Sequence, residues 1–331
     1  MKRRIVPNSF FLAIFMVLLL TSMHYDPAIA NPTFSEERTD LSGIKVAVYN
    51  GTSVSSCIAS RIGLVNMYEW MSATVDVLNA TDIQIGALEN YEILAMPGGN
   101  PLTFNYEIGV NGTDNIRNWV SRGGSYFGIC GGAMYASKAI CFSGTTSYYQ
   151  LSLFNGTVTG PIEGLYGLTK LDMNTGCAGP NLSDIPKTLN SLYLGGGYYV
   201  PDEGQSVFTL ATYDENSERA IIASTFGHGS YCLSAVHTEI EENSDRDGTD
   251  KWDSHDDQDS EWGLMLEVSI WQIESTTWVT PSETTTTTTT TDSTDTTSPP
   301  WNDLMGANLP IIALSGVLIV AVLFVVILKR R

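Results

Sequence analysis

The segment Gly128-Ile129-Cys130-Gly131-Gly132-Ala133 sets one nucleophile among small residues, with an apolar run before it and helical residues from Met134. A nucleophile on a sharp strand-to-helix turn needs small neighbours, because such a turn brings adjacent side-chain positions close together. A helix N-terminus behind it favours thiolate over thiol. The N–H of Gly131 then points to where an oxyanion would form. A tight turn beneath a packed helix would use the same residue types, so the segment by itself leaves both readings open.

A thiolate of this kind needs a proton acceptor, and the chain has four histidines. His24 falls in an amino-terminal apolar leader, His228 in Gly227-His228-Gly229 reads as a hairpin turn, and His255 lies in a run of carboxylates. His237 follows the apolar stretch Tyr231-Cys232-Leu233-Ser234-Ala235-Val236, with Glu239 two residues on. In an extended segment, residues two apart project to the same side. Glu239 is then placed to orient the imidazole while His237 faces the sulfur. A surface His-x-Glu in a loop has the same spelling.

The elements that must position these residues lie within residues 43–275. Short apolar strands alternate there with helical stretches, the pattern of a layered α/β fold, and no internal repeat is present. Residues 44–49 predict a buried strand closed by Asn50-Gly51, and residues 56–71 carry helical spacing. Residues 93–96 predict a strand ending at Pro97-Gly98-Gly99-Asn100, and residues 116–120 a helix ending at Gly123-Gly124. Residues 125–129 predict the strand that delivers Cys130, and residues 262–271 a last helix against the sheet.

Together these residues resemble the class I glutamine amidotransferase-like superfamily, whose members carry Cys on a Gly-x-Cys-x-Gly elbow and His-x-Glu after the last strand. More specifically, residues 44–272 resemble the domain found at the N-terminus of some biotin–protein ligases and as stand-alone secreted proteins. Five blocks carry the likeness in order: Val46–Gly51, Met96-Pro97-Gly98-Gly99, Val120–Ala133, Gly195-Gly196-Gly197-Tyr198-Tyr199 and Leu233–Glu239. The resemblance implies a three-layer flavodoxin-like sandwich with a mostly parallel central sheet. It implies Cys130 as nucleophile, His237 as base and Glu239 as its orienter, with N–H groups of Gly98, Gly99 and Gly131 as oxyanion donors. No cofactor or metal is implied.

Departures narrow the chemistry. Glutaminases of the superfamily usually carry a Gln shortly after the elbow, where this chain has Ala133 and Met134. No synthetase domain follows to use ammonia, and the sequence has no Gly-Arg-Gly-Arg biotin-binding loop. The expectation is a Cys-His-Glu hydrolase of C–N bonds, acting on an extracellular small molecule or peptide. A binding or structural module that keeps the fold without turnover is the alternative.

Five cysteines follow the leader: Cys57, Cys130, Cys141, Cys177 and Cys232. An odd number outside the cell leaves at least one unpaired. With Cys130 free, the other four allow two disulfides in three pairings, and Cys141–Cys177 is the favoured one because both fall in an irregular-looking middle. A paired or oxidised Cys130 would abolish nucleophilic chemistry. After Glu239 comes a carboxylate-dense insertion from Glu241 to Glu261. Its Asn243-x-Asp245-x-Asp247-Gly248 copies the start of a calcium loop, but Ser254 stands where Glu would be, so a solvated acidic loop is expected. Tyr198 and Tyr199 are candidates for the cleft wall, with burial the default.

The ends of the chain predict its placement. Residues 1–30 read as a signal peptide, with Lys2-Arg3-Arg4, an apolar core and Ala28-Ile29-Ala30. Residues 276–303 read as a stalk, with eight consecutive threonines from Thr284 to Thr291. Residues 309–328 are long and apolar enough for one transmembrane helix, and residues 329–331 form a basic cytoplasmic tail. The expected product is a single-pass membrane protein with its domain outside, contacting the bilayer through that helix. Sequons at Asn50, Asn79, Asn111, Asn155 and Asn181 suit export. The formal charge of −19 argues against nucleic acid as a partner.

Overall fold

Strands β1 (Lys45–Tyr49), β3 (Ile93–Met96) and β4 (Ser125–Ile129) are buried almost throughout. Continuous apolar runs of this kind belong to sheets covered on both faces. Alternate residues feed separate cores. Val46, Val48, Ile93, Ala95, Phe127 and Ile129 pack with helix α1 (Ser55–Trp70) and helix α5 (Trp262–Glu274). Ala47, Tyr49, Leu94, Met96 and Tyr126 pack with helix α3 (Pro101–Ser121). The result is a three-layer α/β sandwich. This computed structural model describes residues 38–52, 55–241, 245–255, 257 and 260–280.

The remaining strands are β2 (Thr74–Leu78), β5 (Ser137–Phe142), β6 (Thr145–Tyr148), β7 (Phe154–Gly160), β8 (Gly167–Met173) and β9 (Thr188–Tyr193), then β10 (Tyr198–Pro201), β11 (Phe208–Tyr213), β12 (Arg219–Phe226) and β13 (Gly229–Ser234). Short helices α2 (Ala80–Gln84) and α4 (Gly131–Tyr135) complete the set. The large sheet runs β2-β1-β3-β4-β13-β12-β11-β8-β9. Its pairs are parallel from β2 to β13 and antiparallel from β13 to β9. The expected mostly parallel sheet is therefore corrected to one that is half antiparallel. The two-residue turn Gly227-His228 joins β12 to β13, with Gly227 at φ 62°, and a turn that short can only return the chain antiparallel.

The irregular-looking middle is also corrected. It contributes β8 and β9 to the large sheet and builds a second sheet, β10-β7-β5-β6. Burial in β7 and β8 alternates residue by residue, the mark of strands with one packed face. Cys130, Cys141, Cys177 and Cys232 are free thiols. The expected Cys141–Cys177 bridge does not form: Cys141 sits on β5 of the small sheet, whereas Cys177 follows β8 and its Sγ reaches Pro180 O at 3.4 Å. The Cys57 side chain lies outside the described residues.

The predicted signal peptide, the stalk beyond residue 280, the span 309–328 and the basic tail also lie outside the described residues. Among the described residues no helix is long and apolar enough to cross a membrane. Phe127, 1% exposed and edge-to-face with Tyr68 at 6.2 Å, couples β4 to α1. Phe127→Ala is expected to lower stability by about 3–5 kcal/mol, measured by urea unfolding.

Candidate active site

Cys130 joins β4 to α4 with φ 46° and ψ −107°, a conformation that costs energy for any residue with a side chain. Surrounding hydrogen bonds hold it there. Cys130 N donates to Ser234 O at 2.7 Å, Gly132 N to Pro97 O at 3.1 Å and Met134 N to Cys130 O at 2.9 Å. Tyr126 Oη donates to Gly132 O at 2.7 Å. The flanking glycine is a packing requirement, since a Cβ on Gly131 would lie 2.0 Å from Gly99 O. Helix α4 is only five residues long, so the help expected from a helix dipole shrinks to that of its first N–H groups.

Opposite the elbow, His237 N donates to Leu192 O at 2.9 Å in a single bridge to β9. Its Nδ1 lies 2.9 Å from Glu239 Oε1. The Cys130 thiol lies close enough to the imidazole to act on its titration, and Nε2 is the ring nitrogen that Glu239 leaves open. The expected trio thus comes together, although by a different backbone. Glu239 lies in a turn, with Ile240 N donating to His237 O at 3.3 Å, rather than in a straight strand. Burial acts to lower the pKa of the 4%-exposed His237. The Glu239 charge and hydrogen bond, with the neighbouring Cys130, outweigh that and push it up to about 10, so the imidazole is cationic at neutral pH.

Two neighbours had no signal strong enough to find them in the sequence. Ser60 Oγ, fully buried on α1, donates to Glu239 Oε1 at 2.5 Å and accepts from Gly98 N at 2.7 Å. The Gly98 N–H is therefore committed, which corrects its expected place among the oxyanion donors. Gly99 and Gly131 keep N–H groups without an acceptor among the described residues. The ring of Trp252 lies against His237, with centroids 6.3 Å apart and planes 31° from parallel. An aromatic residue within a run of charges was the available hint for Trp252; Ser60 offered none.

The carboxylate-dense insertion is the expected solvated loop only in part, with Asp245 and Asp250 exposed. Glu241, Asp247, Asp257 and Glu261 are all buried. Arg246 pairs with Glu241 Oε2 at 2.5 Å and stacks over Trp262 and Trp70, at 4.1 and 5.2 Å from their ring centres. These contacts dock the insertion onto α1 and α5. Burial pushes the Asp247 carboxyl up to about 6. Among the described residues no group of three or more His, Cys, Asp or Glu side chains is arranged to hold a metal ion. Tyr199 is fully buried, edge-to-face with Phe154, and Tyr198 is half-buried.

Residues 44–262 match the sequence profile of the family described as biotin-protein ligase, N terminal. An uncharacterized protein of Chlamydia muridarum (strain MoPn / Nigg) is 29% identical over 160 residues, covering 46% of this chain and 61% of its own. The biotin–protein ligase of Schizosaccharomyces pombe (strain 972 / ATCC 24843) is 26% identical over 219 residues, covering 60% of this chain and 33% of its own. The chain thus spans less than two thirds of each of these curated relatives. A glutamine amidotransferase crystal structure from Thermotoga maritima is 13% identical with a TM-score of 0.44, covering 69% of this chain and 90% of that one.

Two outcomes are expected from this geometry. Gly131→Ala forces a methyl into the Gly99 peptide and should lower stability by about 1–3 kcal/mol, read by thermal and urea unfolding. Because the His237 pKa is raised in the folded state, its contribution to stability is complete below the unfolded value of about 6.5 and is lost as pH rises towards about 10. The stability gap between wild type and Glu239→Gln should therefore be widest at pH 6 and shrink by pH 10 in parallel urea titrations.

Proposed function

The chain belongs to the biotin-protein ligase N-terminal family, and from that premise we propose that its domain is a thiol hydrolase of C–N bonds, an amidase or peptidase. The observation that carries this reading is the convergence of Cys130, on a strained elbow, with a buried His237 that Glu239 holds by a 2.9 Å hydrogen bond. In the proposed reaction the Cys130 thiolate attacks the scissile carbonyl carbon and a C–S bond forms. Gly99 and Gly131 N–H groups hold the oxyanion. His237 gives its proton to the departing nitrogen as the C–N bond breaks, and then takes one from the water that hydrolyses the thioester. Glu239 keeps the imidazole turned towards the sulfur throughout.

Glutamine-fed synthesis fits less well, because Ala133 and Met134 follow the elbow. We also propose display outside the cell, on a glycosylated stalk held by residues 309–328 in the bilayer. Its support is the sequence of the two ends together with the exposure of all five sequon residues, Asn50, Asn79, Asn111, Asn155 and Asn181. The substrate class in this reading is an extracellular amide or peptide. A second reading, a displayed binding module without turnover, is favoured by the depth of His237, only 4% exposed.

Peptide mapping of iodoacetamide labelling from pH 4 to 9, wild type beside His237→Ala, separates them. The hydrolase reading expects Cys130 to label at pH 6, below the ordinary thiol pKa of about 8.5, and to lose that labelling without His237. A Cys130 found in a disulfide, or one with an ordinary thiol's pH profile, overturns it in favour of the binding module.

A further inference from the structure

Resting on that site, we propose that Ser60 is a fourth member of it, a positioning residue that fixes the rotation of the Glu239 carboxylate serving His237 and ties it to the Pro97-Gly98-Gly99 turn. The hydroxyl sits fully buried on α1, remote in sequence from every other member. Gly98 N–H donates to it at 2.7 Å, which leaves the hydroxyl proton to go to Glu239 Oε1 at 2.5 Å. His237 Nδ1 meets that same oxygen at 2.9 Å. Glu239 Oε2, equally buried, has no partner among the described residues.

A carboxylate held by one bond can turn about its last torsion, which is broad, and so tilt its acceptor oxygen away from the imidazole. With Ser60 in place such a tilt would strand the hydroxyl proton in the interior, a cost of about 1–3 kcal/mol. Ser60 thereby locks the acceptor geometry that keeps the proton on Nδ1 and leaves Nε2 for the sulfur. The same hydroxyl also sets the turn that carries Gly99, whose peptide lies against Gly131. One side chain thus aligns the acid and the oxyanion loop together. The titratable groups around this pair are Cys130 beside His237, Asp247 of the insertion beside Glu239, and Asp253 beside Asp247.

The test compares Cys130 alkylation by iodoacetamide, mapped by mass spectrometry from pH 5 to 9, in wild type, Ser60→Ala, Ser60→Thr and His237→Ala. Ser60→Ala should lose about tenfold in rate at pH 6, one unit of proton affinity, and regain the wild-type rate at pH 9. Ser60→Thr, which keeps the hydroxyl, should restore the rate at pH 6. If Ser60→Ala does not fold, Ser60→Cys, of nearly the same size but a weak donor, should show the same loss. Uniform slowing at every pH in the Ala or Cys variant, or a profile superposed on wild type while His237→Ala loses its pH 6 labelling, overturns the role of Ser60 alone. A His237→Ala profile that matches wild type overturns the relay beneath it.

Discussion

Burying the Glu239 carboxylate at 0% exposure takes a charge out of water, a loss that only well-placed donors and a nearby cation can offset. His237 and Ser60 supply them on one oxygen. The same arrangement converts His237 into the cation, and the cation in turn faces the thiol. Glycines at two distant positions follow from it. A Cβ on Gly63 would lie 2.7 Å from Glu239 O, and one on Gly98 would lie 2.6 Å from His237 Cε1. The first is on α1 and the second in the turn after β3, so the relay constrains both layers that enclose it.

Strand register brings the parts to one edge. In the parallel half of the sheet Met96 and Leu233 both pair with Gly128. The turn after β3, the elbow after β4 and the segment after β13 therefore emerge side by side, at the carboxyl ends where α/β sheets place their sites. The antiparallel half contributes the bridge from Leu192 that holds His237 N. The sheet's change of direction at β13 is thus what puts a second wall beside the elbow.

The docked insertion closes the other side. Trp252 packs with Ala59, Leu192 and Ile240 as well as against His237, and Trp262 Nε1 donates to Glu239 O at 3.3 Å. Excluding water from the pair raises the strength of the His237–Glu239 interaction, because a low local dielectric screens it less. Acidic residues in this segment are thus partly structural, as Glu241 is through Arg246, whose guanidinium lies over two indole rings.

The sequence by itself determined the local features. The small residues around Cys130, the strand before it, the hairpin at His228 and the pairing of His237 with Glu239 were all legible, because each depends on neighbours a few residues away. The antiparallel half of the sheet beyond the hairpin at His228, and the second sheet, were not read from the sequence, since strands with one packed face carry a weaker apolar signal than buried ones. Tertiary structure alone decided the rest: that Gly98 spends its N–H on Ser60, that Cys141 and Cys177 never meet, and that Glu241, Asp247, Asp257 and Glu261 of the acidic insertion are buried. Those outcomes turn on contacts between residues far apart in the chain, and a hydrogen bond between positions 60 and 239 has no period or spacing for a sequence to display.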